Sequence, residues 1–157
     1  MADLIYLTMN GNKQGSVSAG CSSYDSIGNR YQQHHVNEIF VYSTDYELSR
    51  GENMSHGHFV FSKADDKASP LLLSSITSNE LFECDFKYYR TTISGGLIHY
   101  KTIKLTRASI VNIINIHPDS LTNNEQHPKE IVSLKYESIT ANHHIASTSG
   151  YSITTNN

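Results

Sequence analysis

Tryptophan is absent from this chain, and proline and cysteine are scarce, with three prolines and two cysteines among 157 residues. Two cysteines cannot form the dense disulfide framework that very small secreted domains use. A chain of this length buries roughly 68–70% of the surface that its unfolded form exposes, which is enough for a core without disulfides or metal. We therefore expect Cys21 and Cys84 to be reduced and packed as small apolar residues.

Charge is also sparse, because charged residues make up 17% of the chain and the formal net charge is -3. Soluble domains usually contain about 25% charged residues, so Ser, Thr, Asn and Gln must supply much of the polar surface. This balance gives no general attraction to nucleic acid or to an anionic membrane. No segment approaches the roughly 20 apolar residues of a membrane helix. We expect no nucleic-acid partner and no membrane insertion.

The first residues, Met1-Ala2-Asp3-Leu4-Ile5, enter a strand-like run directly. A secretory signal peptide begins with a basic region, followed by an apolar stretch and a cleavage site, and none of these is present. We expect a chain made in the cytosol that needs a route other than a cleaved signal if it is exported. The length predicts a single domain over residues 1–157.

Alternating apolar and polar residues dominate what the sequence does contain. Residues 81–91 place Phe82, Cys84, Phe86 and Tyr88 on one face, which is the period of a half-buried strand. A turn at residues 94–96 and a returning run make this segment a predicted β-hairpin. Other segments of the chain show the same strand-like patterns. We therefore predict a mainly β fold, which is an antiparallel barrel or a sandwich of two sheets.

Three further segments complete the predicted fold. Ser69-Pro70 predicts a helix start, with Ser69 as the N-cap and Pro70 at the first helical position. This one short helix should end near Asn79. Residues 38–48 predict a strand with Ile39, Val41 and Ser43 on one face, and residues 108–117 predict a strand with its isoleucines in register. The isoleucines expected to share one face of this strand are Ile110, Ile114 and Ile116.

No segment carries a recognisable catalytic or cofactor motif. The G-x-S-x-G elbow, the P-loop and the dinucleotide fingerprint are absent. The histidine clusters 34–35, 56–58 and 143–144 suggest metal ligands, but short spacings are weak predictors and surface histidines are the simpler interpretation. Asp65 and Asp66 stand before the predicted helix, where acidic residues favour the helix dipole. We predict no cofactor, no metal and no catalytic residue.

Tyrosine is common, and its apolar ring with a polar tip suits protein interfaces. Tyr24, Tyr31 and Tyr46 fall in predicted loops or on polar faces, where either an interface role or incidental exposure would explain them.

Several blocks in order along the chain resemble the Hcp family, the tube proteins of bacterial type VI secretion systems. The blocks are SAGCSSYDSIGN at residues 18–29, NEIFVYS at 37–43, DKASPLL at 66–72, NEL at 79–81, YRT at 89–91, VSLKYESI at 132–139 and GYS at 150–152. The resemblance runs from about residue 5 to residue 153. It is specific because all of these blocks occur in the same order, and no single block would be enough.

The resemblance implies a non-enzymatic structural subunit. Hcp proteins are β-barrels with one flanking helix that form six-membered rings. The rings stack into a hollow tube inside a contractile sheath, carry a spike at the tip and can hold small effectors in the lumen. The tube protein is itself exported without a cleaved signal. The chain ends at Asn156-Asn157 with no appended domain, which resembles the plain structural form.

The resemblance also implies roles for particular residues. Residues 41–45 resemble the family segment that lines the lumen, so we expect Ser43 and Asp45 to face it. Residues 49–67 resemble the extended loop that reaches a neighbouring subunit. The residues that we expect in this contact are Arg50, Glu52, His56 and Phe59.

Two other functions remain open from the residues alone. A monomeric β-sandwich binding module could use its aromatic loops, and a small hydrolase could use His34, His35 or His56.

Overall fold

The computed structural model of this protein describes residues 3–30, 33–123 and 125–154, so Tyr31 lies outside the described residues. Strands dominate these ranges: β1 Leu4–Gly11, β2 Gly15–Ser16, β3 Ile39–Asp45, β4 Leu48–Arg50, β5 Met54–His56, β6 Phe59–Ala64, β7 Phe82–Thr91, β8 Leu97–Ile116, β9 Lys129–Lys135, β10 Ser138–His143 and β11 Thr148–Ile153. The helices are α1 Tyr24–Ile27 and α2 Ser69–Ser78, and short 3-10 turns span Gly28–Arg30 and Gln33–His35.

The main sheet closes on itself as an antiparallel barrel. Its strand order runs β11-β10-β8-β7-β1-β3-β6-β9, and β9 pairs again with β8. The remaining hairpin, β4–β5, forms a separate two-stranded sheet. The predicted mainly β, antiparallel barrel is therefore confirmed. The four-residue helix α1 was not predicted, because it is too short to produce a periodic pattern.

Strand β8 is shared between two parts of the barrel. Residues 97–108 run along β7, residues 101–106 also pair with β10 on the other side, and residues 109–116 pair with β9. The chain bends between these halves at Arg107, whose φ of 48° lies in the left-handed region. The predicted hairpin of β7 and β8 is confirmed, and the core face of β7 consists of the predicted side chains Phe82, Cys84, Phe86 and Tyr88.

One predicted register in β8 is wrong. A bulge between Ile110 and Asn112 shifts the pairing with β9, so that Ile110 stays in the core while Ile114 and Ile116 are 46% and 36% exposed. A bulge inserts one residue and moves every later side chain to the opposite face. The sequence alternation across the bulge cannot reveal this shift.

Helix α2 ends where the sequence predicts, at Asn79, which adopts the left-handed conformation with a φ of 52°. Its start differs by one residue from the prediction, because Ala68 occupies the N-cap position. The hydroxyl of Ser69 instead accepts hydrogen bonds from the Asp66 backbone N–H and from Lys63 Nζ. Asp66 is thus part of a buried contact and not of an exposed helix start.

Glu80 fastens the β1–β2 turn to α2. Its Oε1 accepts hydrogen bonds at 2.6 Å from the backbone N–H groups of Lys13 and Gln14, and its Oε2 accepts from the side chains of Gln14 and Ser75 at 2.8 and 3.1 Å. Gly11 leaves room for this carboxylate, since a Cβ there would lie 2.7 Å from Glu80 Cδ. Burial alone would raise the pKa of Glu80, but the hydrogen bonds outweigh it and hold the pKa below its usual range.

Replacing Glu80→Gln should lower the free energy of unfolding by about 2 kcal/mol at neutral pH, because an amide nitrogen replaces one acceptor oxygen and faces donors. Folding lowers the pKa of Glu80. Its contribution to the free energy of unfolding should therefore be complete above the pKa of the unfolded state and be lost as the pH falls through the lower pKa of the folded state. Denaturant unfolding at several pH values measures both effects. The control is Glu125→Gln in the exposed loop, and equal stabilities of the two variants would contradict this role.

Candidate assembly surfaces

The outer side of strands β3, β6, β9 and residues 109–116 of β8 forms one continuous surface, which we call the wall face. Two rows of paired residues cross these four strands. The first row is Ser43, Ser62, Ile131 and Ile114, and the second is Asp45, Val60, Ser133 and Asn112. The opposite side of the same strands faces the core.

A bulge in β3 places Ser43 on the wall face. The pairing with β6 shifts between Val41 and Ser43, so Ile39 and Val41 point into the core whereas Ser43 is exposed. The prediction that Ser43 shares a face with these two residues is therefore wrong. Thr44 points inward in its place, where its hydroxyl lies 2.7 Å from the Tyr88 hydroxyl.

Hydroxyl and aliphatic groups form the centre of the wall face, and the exposed Lys129 and Lys135 lie at the two ends of β9. The Ser43 and Ser62 hydroxyls lie 2.5 Å apart and hydrogen-bond across β3 and β6. Asp45 is exposed and, among the described residues, forms no ion pair. Such a surface can make weak apolar and hydroxyl contacts. The structure places Ser43 and Asp45 together on it, and their position in a lumen remains a prediction.

Both lateral edges of the wall face are open in the described part of the chain. At one edge, β1 pairs only with Ile39–Val41 of β3, which leaves residues 43–45 paired on the β6 side alone. At the other edge, residues 109–116 of β8 pair only with β9. Residues 109–116 contain neither a charged residue nor proline, the two usual protections of a strand edge.

The hairpin β4–β5, which we call the arm, projects from the barrel between β3 and β6. Arg50 and Glu52 lie at its exposed tip. At its base, the Gly57 N–H donates to the Glu47 carbonyl at 2.8 Å, and a Cβ on Gly57 would lie only 3.0 Å from that oxygen. A side chain at residue 57 would therefore crowd the base of the arm.

His56 attaches the arm to the body of this subunit. Its Nε2 lies 2.7 Å from the Ser152 hydroxyl of β11, and its ring meets Tyr136 edge-on at 5.9 Å. Beside it, a groove of about 200 Å³ separates the arm from β10 and β11. The lining residues are Tyr46, Leu48, Ile139, Ala141, Gly150, Tyr151 and Ser152.

Phe59 does not belong to the arm, although the sequence interpretation placed it in a contact with a neighbouring subunit. It begins β6, its side chain is 0% exposed, and its ring packs 4.5 Å from that of Phe86 and 5.6 Å from that of Tyr46. A residue buried in its own core cannot reach a neighbour. The alternation of Phe59 and Phe61 already indicated this strand, whereas the loop interpretation ignored it.

A buried ion cluster behind β6 was missed by the sequence interpretation. Lys63 Nζ lies 2.9 Å from Asp66 Oδ1 and 3.6 Å from Glu130 Oε2, and it donates to the Ala64 carbonyl at 2.9 Å. Burial raises the pKa of Asp66, although the neighbouring Lys63 opposes this shift. The cluster joins β6, β9 and the start of α2. The sequence does hold a signal for this cluster, because Lys63 continues the alternation of Phe59 and Phe61 and so points into the core. A buried lysine needs a charged or hydrogen-bonding partner.

The histidines do not converge as metal ligands in the ranges that the structure describes, where no group of three or more His, Cys, Asp or Glu residues could hold a metal ion. His58 lies beyond the end of β5, so it does not share a strand face with His56. His35 Nδ1 lies 3.0 Å from Glu38 Oε1 and its ring stacks on Tyr6. His34 lies in the 3-10 turn Gln33–His35.

The two cysteines are free and buried within the described residues, as the sequence predicts. Burial raises the pKa of the Cys21 thiol to about 12 and that of Cys84 further. No helix in residues 3–30, 33–123 and 125–154 is both long enough and apolar enough to cross a membrane.

These features define a class of protein: a closed antiparallel barrel with an exposed four-stranded wall and a projecting arm. The family model described as "Type VI secretion system effector, Hcp" matches residues 6–143 of the chain. This protein belongs to the Hcp family of type VI secretion tube proteins.

Three known proteins illustrate the similarity. The "Major exported protein" of Pseudomonas aeruginosa is 34% identical over 163 residues, which cover 96% of this chain and 94% of that protein. The structure of the "Secreted protein Hcp3 from Pseudomonas aeruginosa" superposes with a TM-score of 0.88 at 34% identity and covers 97% of this chain and 98% of that one. "Uncharacterized protein YhhZ" of Escherichia coli (strain K12) is 37% identical over 149 residues, 94% of this chain, but this chain spans only 37% of its length.

Removing the imidazole in His56→Ala should release the base of the arm, because the contacts to Ser152 and Tyr136 are lost. Limited trypsin digestion after Arg50 reports this release, since proteolysis requires local opening, and we expect cleavage to accelerate roughly severalfold. His58→Ala provides the matched control on an exposed histidine. Equal digestion rates for both variants would show that His56 does not hold the arm.

Proposed function

We propose that this protein is the building block of a type VI secretion inner tube, and that about six copies close into a ring by pairing the two open edges of the wall face. Membership of the Hcp family supports the tube role. The feature that carries the ring proposal is the pair of open edges on opposite sides of one four-stranded sheet.

Geometry favours a ring over a two-fold dimer. The two edges are different strands, so residues 43–45 of one copy would meet residues 109–116 of the next. Contacts between different surfaces repeat around the assembly and close into a ring when the rotation permits. Each copy would thereby satisfy backbone groups that are unpaired in a single subunit.

In such a ring the wall faces of all copies would line the inside. Ser43 and Asp45 would then face the lumen, as the family resemblance implies, and small effectors would contact hydroxyl and aliphatic side chains there. Arg50 and Glu52 at the exposed tip of the arm, together with His56 at its base, are the candidate contacts with an adjacent subunit. We propose that Phe59 supports the arm only from within the core.

Stacking of the rings would complete the tube, with a spike protein at its tip and a contractile sheath around it. The name of the related Major exported protein supports export for that relative. We extend this to the present chain as movement from the bacterial cytoplasm to the outside through the type VI apparatus. In this role the protein acts through its surfaces and not as an enzyme.

A charge introduced at an open edge tests the proposed ring. Ile114→Lys places an ammonium on residues 109–116, and lysine at a strand edge disfavours pairing with another chain. We expect negative-stain microscopy to show rings with an open centre for the unchanged protein and only small particles for Ile114→Lys. Circular dichroism should show the same β content for both, because Ile114 is not a core residue.

Leu73→Lys serves as the matched control, because Leu73 is also an exposed aliphatic residue but lies on α2 and not on a strand edge. This variant should still form rings. A protein that stays monomeric at all concentrations would contradict the proposal and favour a monomeric binding module. Rings that persist in Ile114→Lys would show that residues 109–116 are not the contact.

A further inference from the structure

His99 of β8 and His144, which follows the end of β10, converge on one threonine hydroxyl where β10 leaves β8. His99 Nε2 lies 2.7 Å from Thr102 Oγ1, and His144 Nε2 lies 2.8 Å from the same oxygen. The two rings are 4.7 Å apart in an edge-to-face arrangement. The His144 backbone N–H also donates to the Tyr100 carbonyl at 2.8 Å, just beyond the last pair of the β8–β10 ladder.

A bulge in β8 makes this convergence possible. In the pairing with β7, Tyr88 lies opposite Lys101 but Tyr89 lies opposite His99, so Tyr100 is an extra residue in β8. This extra residue puts the two side chains that flank it, His99 and Lys101, on opposite faces, whereas a regular strand would put them on one face. His99 therefore shares a face with Thr102, although the simple alternation of a strand would separate them.

The hydrogen bonds fix which nitrogen of His99 carries a proton. His99 Nε2 also lies 3.1 Å from the Lys101 carbonyl, which can only accept, so this nitrogen is a donor. Thr102 accepts from His99, and its hydroxyl can either donate to His144 Nε2 or accept a second hydrogen bond from it.

Charged groups of both signs surround the pair. Lys87 of β7 opposes a proton on His99 whereas Glu38, just before β3, favours it, and Lys87 lies 3.6 Å from Glu38. Glu38 is also shared with His35. Arg90 and His143 contact the neighbouring ring of Tyr100 at 4.8 and 5.7 Å, and the Lys101 ammonium lies 4.3 Å over Tyr88 on the other face.

We propose that His99, Thr102 and His144 form an acid-labile clasp that holds the β10–β11 ribbon on β8. When both imidazoles are cationic, two like charges lie on rings 4.7 Å apart and repel each other. In the described chain the ribbon meets β8 through the six pairs from Ser138 to His143 of β10, β11 pairs with β10 alone, and the clasp stands at the His143 end of that ladder. His56 of the arm bonds to Ser152 of the same ribbon, so opening would also reach the arm.

The direction of the pH effect follows from His99. Burial, followed by His144, lowers its pKa from the usual value. The opened form therefore binds a proton more readily than the closed form, and acidification below about pH 6.5 favours opening. The closed clasp is fully formed above this range.

Hydrogen–deuterium exchange of the full chain tests the clasp without requiring a ring. Protection factors corrected for intrinsic exchange should fall roughly tenfold for residues 140–152 between about pH 7.5 and pH 5, because one protonation linked to opening changes the equilibrium by up to tenfold for each pH unit between the pKa values of the closed and opened forms. Residues 82–91 of β7 should keep their protection. His144→Gln, which can bond to Thr102 but cannot gain a charge, should reduce the fall to less than about twofold.

His127→Gln in the exposed loop is the control and should behave as the unchanged protein does. His99→Gln provides a second test if His144→Gln does not fold. Equal protection of residues 140–152 at both pH values would overturn the clasp, as would a fall that persists in the foldable variants. The proposed ring can fail in microscopy while this pH effect remains, so the two results are separable.

Discussion

The pairing of backbone groups is the constraint on which the rest of this structure depends. Because β9 returns to β8, the barrel satisfies most of its strand edges within one chain. The bend at Arg107 lets β8 serve two neighbours, but it also leaves residues 109–116 paired on one side only. The bulge in β3 similarly places Ser43 and Asp45 outside the core at the opposite edge. Closure of the fold and readiness for assembly thus arise from the same irregularities.

Polar contacts hold the parts that the ladder does not reach. Glu80 attaches the β1–β2 turn to α2, and Lys63 joins β6, β9 and the start of that helix. His56 joins the arm to β11, and the proposed His99–Thr102–His144 clasp lies at the end of β10. Removing one partner of Glu80 or Lys63 leaves a buried group unsatisfied, so a single substitution there can release a whole segment.

Sequence alternation was sufficient for the strands that follow a regular period. It predicted the core face of β7, its hairpin with β8 and the end of α2 at Asn79. It failed at Ser43 and at Ile114, because a bulge changes the face without leaving a mark in the pattern of residue types. The sequence could not predict the proposed clasp for the same reason, because the extra residue Tyr100 brings His99 and Thr102 to one face. Phe59 was expected in an inter-subunit loop because of the similarity to a family loop. Its alternation with Phe61 instead puts it on the core face of β6.

The central claim is that copies of this barrel close into a ring through two different open edges. Native mass spectrometry of the unmodified protein tests it most directly, because it counts subunits without a stain or a label. The account predicts one dominant species of about six times the 17.6 kDa subunit mass. A spectrum that contains only the 17.6 kDa monomer, or a symmetric dimer, at every concentration would contradict it.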